Sequence, residues 1–164
     1  MQKIILALFM LIFSVSSAAA HGGISKLPDS VQIMQYKMLL YMDADDTATR
    51  NNLAMAYFRN GDLTKASEEL TTVLEKDTKN FDALDGMGIV LLRQKKSAEA
   101  LKYLEQALAI NEKDSLLHVH LSLAYQQLKK TELADKAMET AKKQASTPEA
   151  IAEIQEEVKL ITQS

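Results

Sequence analysis

The chain repeats itself every 34 residues, and this period limits the fold more than any other feature. Tyr57, Leu91 and Tyr125 are spaced this way, as are Ala66, Ala100 and Ala134, and Leu70, Leu104 and Met138. Leu53, Met87 and Leu121 match too, and each is followed by a small residue: Ala54, Gly88, Ser122. Val73, Ala107 and Ala141 complete the register. Three units, 47–80, 81–114 and 115–148, run without insertion. A fixed period of this length marks supersecondary units that cannot bury their apolar faces alone and must stack.

Each unit reads as two helices joined by a tight turn. Asp46, Asn80 and Asp114 open the three units, and all are favoured helix N-caps. In "NLAMAYFRNGDLTKASEEL", residues 52–70, the helical run stops at Asn60-Gly61-Asp62 and restarts at once. Gly61 is free to take the left-handed conformation that ends a helix, and Asp62 can cap the next one. The small residues fall where two backbones must meet. A Leu at Ala100 would overpack that contact and cost about 1–3 kcal/mol.

The pattern L-A-x-x-Y, then G, then A-x-x-x-L-x-x-V resembles the tetratricopeptide repeat, and "MGIVLLRQKKSAEALKYLEQAL" fits the same pattern. The resemblance implies an all-α protein: a right-handed superhelical stack of three helix pairs with an N-terminal helix and a C-terminal capping helix. There are departures. Arg50, Leu84 and His118 stand where an aromatic is common, and the Pro expected near each unit's end is missing from Thr78, Glu112 and Ser146.

A stack of such units curves, with its first helices lining the concave side. In the family, positions 2, 5, 9, 12 and 13 of each unit face that groove. By register these are Ala48, Asn51, Met55, Phe58 and Arg59, then Asp82, Asp85, Ile89, Leu92 and Arg93, then Leu116, Val119, Leu123, Gln126 and Gln127. Met55, Phe58, Ile89, Leu92, Val119 and Leu123 make an apolar floor. Arg59 and Arg93 suit acidic groups on a ligand, Asp82 and Asp85 basic ones, and Asn51, Gln126 and Gln127 a peptide backbone. Such a surface fits an extended peptide or an amphipathic helix, unless a segment of the chain itself, for instance 21–29, fills it. Chaperone-binding relatives grip a free C-terminal carboxylate with Lys and Asn at positions 5 and 9 of the first unit and basic groups in the third. Here those places hold Asn51 and Met55, then Leu116 and His120, so that clamp is absent.

The flanks follow from stacking. "TPEAIAEIQEEVKLI" has Thr147 as N-cap and Pro148 at the first helical position. Ile151, Ile154, Val158 and Ile161 form one stripe of a solvating C-terminal helix within 149–164, with Glu149, Glu153, Glu156 and Glu157 off it. At the other end a packing helix occupies 29–45. Its core "DSVQIMQYKMLLYM", residues 29–42, is apolar on more than one stripe, which points to a partner or a second copy.

Residues 1–20 read as a secretory signal peptide. Lys3 precedes the apolar run "IILALFMLIF", and "SVSSAAA" ends at Ala20. The run is short for a membrane span, so cleavage is expected between Ala20 and His21, leaving an extended segment 21–28 before the first helix. The expected location is periplasmic or secreted. With no Cys, the chain has no disulfide, no zinc–thiolate site, no thiol nucleophile and no lipoprotein anchor. A net charge of −3 without a basic block excludes nucleic acid and attraction to anionic lipid.

Chemistry is sparse. His118 and His120, two apart on a helix, point to different faces and cannot share a metal. His118 takes a packing position and reads as a core histidine. His21-Gly22-Gly23 could chelate Cu(II), and the i, i+4, i+8 stripe Met34, Met38, Met42 could suit Cu(I), although Met more often fills gaps. Asp43, Asp45 and Asp46 fit helix capping, and Glu68-Glu69 and Glu156-Glu157 read as solvated faces. There is no nucleophile motif, phosphate loop or HExxH, so neither catalysis nor a cofactor is expected. The reading is a periplasmic, non-enzymatic adaptor that binds protein segments in its groove. Exported proteins that look like this serve cytochrome maturation, pilus or secretion assembly, and outer-membrane or cell-wall machinery. The rivals are a homo-oligomeric scaffold joined through 29–42 and a copper carrier using His21 and the Met stripe.

Overall fold

A computed structural model describes residues 27–162. The signal peptide, the Ala20–His21 junction and residues 21–26 lie outside the described residues. Within them the chain is all helix: α1 (Asp29–Met42), α2 (Thr47–Arg59), α3 (Leu63–Lys76), α4 (Phe81–Arg93), α5 (Ser97–Ile110), α6 (Ser115–Gln127), α7 (Thr131–Gln144) and α8 (Pro148–Thr162).

Short polar side chains start most of these helices. Asp46, Asn80 and Asp114 accept from the backbone N–H groups of Thr49, Ala83 and Leu117 at 3.0, 3.1 and 2.9 Å. Asp62 accepts from Lys65 N–H, and Thr147 Oγ1 accepts from Ala150 N–H. Each bond satisfies a donor that the helix itself leaves without a partner.

The turn inside each unit uses one left-handed residue: Gly61 (φ 85°), Lys95 (φ 62°) and Lys129 (φ 60°). The following N–H groups of Asp62, Lys96 and Lys130 then reach back to the carbonyls of Tyr57, Leu91 and Tyr125, each at 2.9 Å. This is the Schellman geometry that closes a helix end. Only the first unit places glycine there.

α2 pairs with α3, α4 with α5 and α6 with α7, and each second helix packs on the first helix of the next unit. The first helices α2, α4 and α6 neighbour one another along one side of the stack. The small residues sit where the paired helices cross: Ala54, Ala66 and Ala100 are fully buried. A Cβ on Gly88 would stand 2.6 Å from Leu104 Cγ. At the corresponding place in α6, Ser122 Oγ donates to the Ala134 carbonyl of α7 at 2.8 Å.

α1 packs on α2 through Gln32, Tyr36 and Leu40. Arg59 ties the two together, donating to Asp29 Oδ1 and Gln32 Oε1, each at 2.8 Å. The opposite face of α1 leaves Met34, Met38, Tyr41 and Met42 exposed. At the far end α8 does not continue the stack. Its principal contacts are with α6 and α4, both first helices, rather than with α7. It therefore lies across the concave side. Its buried stripe is Ile154 and Ile161, flanked by half-buried Ala150, Glu157 and Val158. Ile151, expected on that stripe, is 45% exposed.

Candidate functional site

The fifteen groove positions do not behave alike, and the stacking explains why. Position 13 in each unit bonds within the chain. Arg59 is bound to α1, as above. Arg93 donates to the Phe58 carbonyl at 2.8 Å and lays its guanidinium 5.1 Å from the Phe58 ring centroid. Gln127 donates to the Leu92 carbonyl at 3.2 Å and accepts from Ser97 Oγ. Arg93 and Gln127 each reach back to the first helix of the preceding unit. Arg59 and Arg93, expected to suit a ligand's acidic groups, are both half-buried and bond within the chain.

Position 12 is buried where another unit follows. Phe58 and Leu92 have no accessible surface, and neither can touch a ligand. Gln126, at the same position in the last unit, is exposed. A fourth unit would cover it; α8, lying elsewhere, does not. Val119 and Leu123, on the helix that α8 contacts, are buried as well. These two are also removed from the expected groove floor.

The remaining positions converge. Ala48, Asn51, Met55, Asp82, Asp85, Ile89 and Leu116 line a concave pocket of about 400 Å³ together with Asn52, Gly86, His120 and Glu157. Asn52, Gly86 and His120 all occupy position 6, which the groove register passes over. Their shared place in the repeat was a signal available in the sequence. Clefts of about 280 and 650 Å³ lie on the other side, lined by Thr71, Met87 and Tyr103 among others. No buried polar atom lacking a partner faces those clefts, whereas two such atoms belong to the concave pocket.

The first is Asn51 Oδ1. Asn51 is 7% exposed and donates from Nδ2 to Asn80 Oδ1 at 2.9 Å, but its own oxygen has no hydrogen bond. The second is His120 Nε2. His120 is 2% exposed, and its Nδ1 lies 2.6 Å from Asp85 Oδ1. Glu157 Oε1 of α8 stands 3.3 Å from Nε2, within ion-pair range. It is poorly aligned, however, and Nε2 makes no hydrogen bond. Burial by itself would push the imidazolium pKa down. The charges of Asp85 and Glu157, with the hydrogen bond to Asp85, outweigh it and raise the group to about 10. His120 is thus a buried cation at neutral pH, with both ring nitrogens as donors.

Two expectations about histidine and glutamate are overturned here. His118, expected in the core, is half-buried and its Nε2 meets the Glu112 carbonyl at 2.9 Å. His120 is the core histidine. Glu157, expected on a solvated face, is the partner that α8 brings to it. Among the described residues no group of three His, Asp or Glu side chains is placed to hold a metal ion. His21 of the copper reading lies outside those residues. No helix among them is long and apolar enough to cross a membrane.

Comparisons with known proteins agree with this architecture. Two family profiles described as tetratricopeptide repeat match residues 45–113 and 117–147. A search of curated proteins finds no match. Among solved structures, the chain is similar to TTC0263, described as a thermophilic TPR protein in Thermus thermophilus, with TM-score 0.68 and 19% identity over 81% of this chain and 77% of that one. It is similar to a crystal structure of MamA, with TM-score 0.65 and 20% identity over 91% and 92%. The first TPR domain of human RPAP3 matches with TM-score 0.59 and 22% identity over 70% and 91%. These likenesses concern the fold. With the 34-residue register, the helix pairs and the two profile matches in agreement, the chain belongs to the tetratricopeptide repeat family.

Proposed function

We propose that the protein is a non-enzymatic assembly adaptor of the periplasm that receives a segment of another protein in its concave pocket. Tetratricopeptide folds in general serve protein–protein interaction, and the finer reading is carried by one observation. Asn51 Oδ1 is a buried acceptor with no hydrogen-bond partner, and in the same pocket His120 Nε2 is a buried donor met only by the ion-pair contact of Glu157 at 3.3 Å. Leaving a buried acceptor such as Asn51 Oδ1 unpaired costs roughly 1–3 kcal/mol. A protein segment offers the missing N–H and carbonyl or carboxylate, and half-buried Met55 and Leu116 supply apolar contact beside them. The periplasmic part of the reading is supported by the apolar run and small-residue string of residues 4–20.

The test is a crosslinking pull-down from the exported fraction of the native cell, comparing residues 21–164 with the same chain carrying Met55→Glu. A partner captured by the first and lost by the second supports the reading. Equal capture by both overturns it. N-terminal sequencing of the exported protein checks the location, with His21 expected first.

A second reading, a self-associating scaffold, is favoured by the exposed apolar face of α1, where Tyr41 is 92% accessible. Light scattering over a concentration series tests it. A mass that stays at one protomer sinks it.

A further inference from the structure

We propose that α8 is a displaceable occupant of the concave groove, and that the partner is an acidic amphipathic helix which replaces α8 and sets its own carboxylate on His120. This rests on the reading that the groove binds a protein segment, and it adds what that segment must look like.

The course of α8 is the first argument. In the stack, a first helix packs on the second helix before it and on the adjacent first helix. α8 instead contacts two first helices, α6 and α4, and leaves Gln126 exposed at the place where a following unit would sit. It thus takes the position of a groove ligand, joined to the stack through exposed Ser146, Thr147 and Pro148.

The quality of its attachment is the second argument. Ile154 and Ile161 are buried and would be replaced only by comparable apolar side chains. Glu157 is different. It lies 3.3 Å from a buried cation without making the hydrogen bond that cation can donate. Asp85 meets the other ring nitrogen at 2.6 Å, so the imidazole orientation is already set. A carboxylate that arrives in line with Nε2 gains a charge-assisted hydrogen bond that Glu157 does not make. Exchanging one carboxylate for another leaves the charge of the pocket unchanged.

The chemistry of the replacement follows from what it replaces. α8 carries Glu149, Glu153, Glu156 and Glu157 against the single cation Lys159. Its buried face reads Ile, then Glu three residues on, then Ile four further on, the spacing of one helical face. An incoming helix should carry the same apolar–carboxylate–apolar order, which is how helix-in-groove ligands are recognised.

The probe is a fluorescein-labelled peptide of residues 147–162, read by anisotropy against two full-length chains, the native one and one carrying Ile154→Asp with Ile161→Asp. An intramolecular occupant present nine-tenths of the time or more lowers apparent affinity at least about tenfold. The double variant should therefore bind the peptide about tenfold tighter or more, and a Glu157→Gln peptide should lose most of that gain. Equal affinity for the two chains, or indifference to Glu157→Gln, overturns the proposal. If the double variant loses its helical circular dichroism, the native chain decides by hydrogen exchange. Excess unlabelled peptide should raise exchange in α8 and not in α4 or α6, and unchanged α8 exchange at saturating peptide overturns the proposal. The adaptor reading is judged separately. If the peptide fails while Met55→Glu still loses a captured partner, only the displacement idea falls. If the peptide binds while capture is indifferent to Met55→Glu, the adaptor reading falls.

Discussion

Asp85 and His120, 35 residues apart, meet at 2.6 Å and join the first helices of neighbouring units through a buried ion pair. Their charges couple the fold to pH. His120 is raised from 6.5 to about 10, so it binds its proton more tightly in the folded than in the unfolded chain. Its stabilising contribution is therefore fully present below pH 6.5 and is lost as pH rises towards 10. Urea midpoints should fall across that window, and His120→Gln should flatten the fall. Imidazole chemical shifts should keep their charged-form values at about pH 8.5, between the unfolded and folded pKa values.

Asp85→Asn should destabilise the protein by about 2–3 kcal/mol at neutral pH, because it leaves a buried cation facing only the misaligned Glu157. Urea denaturation measures the loss. The pKa of His120 should drop with it.

Gly88→Ala pits helix propensity against packing. Ala is favoured over Gly by about 1 kcal/mol in a helix interior. Against that, the new Cβ would lie 2.3 Å from Leu104 Cδ2 and 2.6 Å from its Cγ, and Leu104 is fully buried. Overpacking costs about 1–3 kcal/mol, so the melting temperature should fall. A rise would show that α5 shifts freely at this crossing.

Lys95→Gly and Lys129→Gly should act in the other direction. Both lysines hold φ near +60° in exposed turns, where glycine has no steric penalty. Each change should stabilise by about 0.5–1 kcal/mol in thermal denaturation, and the two should add because the turns are remote.

Leu92→Glu would be a poor probe of binding. Leu92 is fully buried, and an unpaired carboxylate there should unfold the stack. Arg93→Met should lower stability by about 1–2 kcal/mol through loss of the bond to the Phe58 carbonyl and the ring contact. Capture of a partner should be unaffected, because Arg93 serves the chain itself. Parallel melting and pull-down measurements separate the two effects.

The sequence by itself determined the repeat, the helix pairs and their junctions. Asp46, Asn80 and Asp114 cap because a short oxygen next to a free N–H is a local matter, and Ala66 and Ala100 are small because every unit crosses its helices at the same place. Such features lie within one period and recur. Much of the candidate site was not legible this way. Phe58 and Asn51 stand seven residues apart on the same helix, yet the following unit covers one entirely while the other lines the pocket. Likewise Glu157 carries the pattern of a solvated residue, and only the course of α8 across α4 and α6 turns it towards His120. Tertiary structure decided these because burial depends on which distant segment arrives, and no local spacing records that.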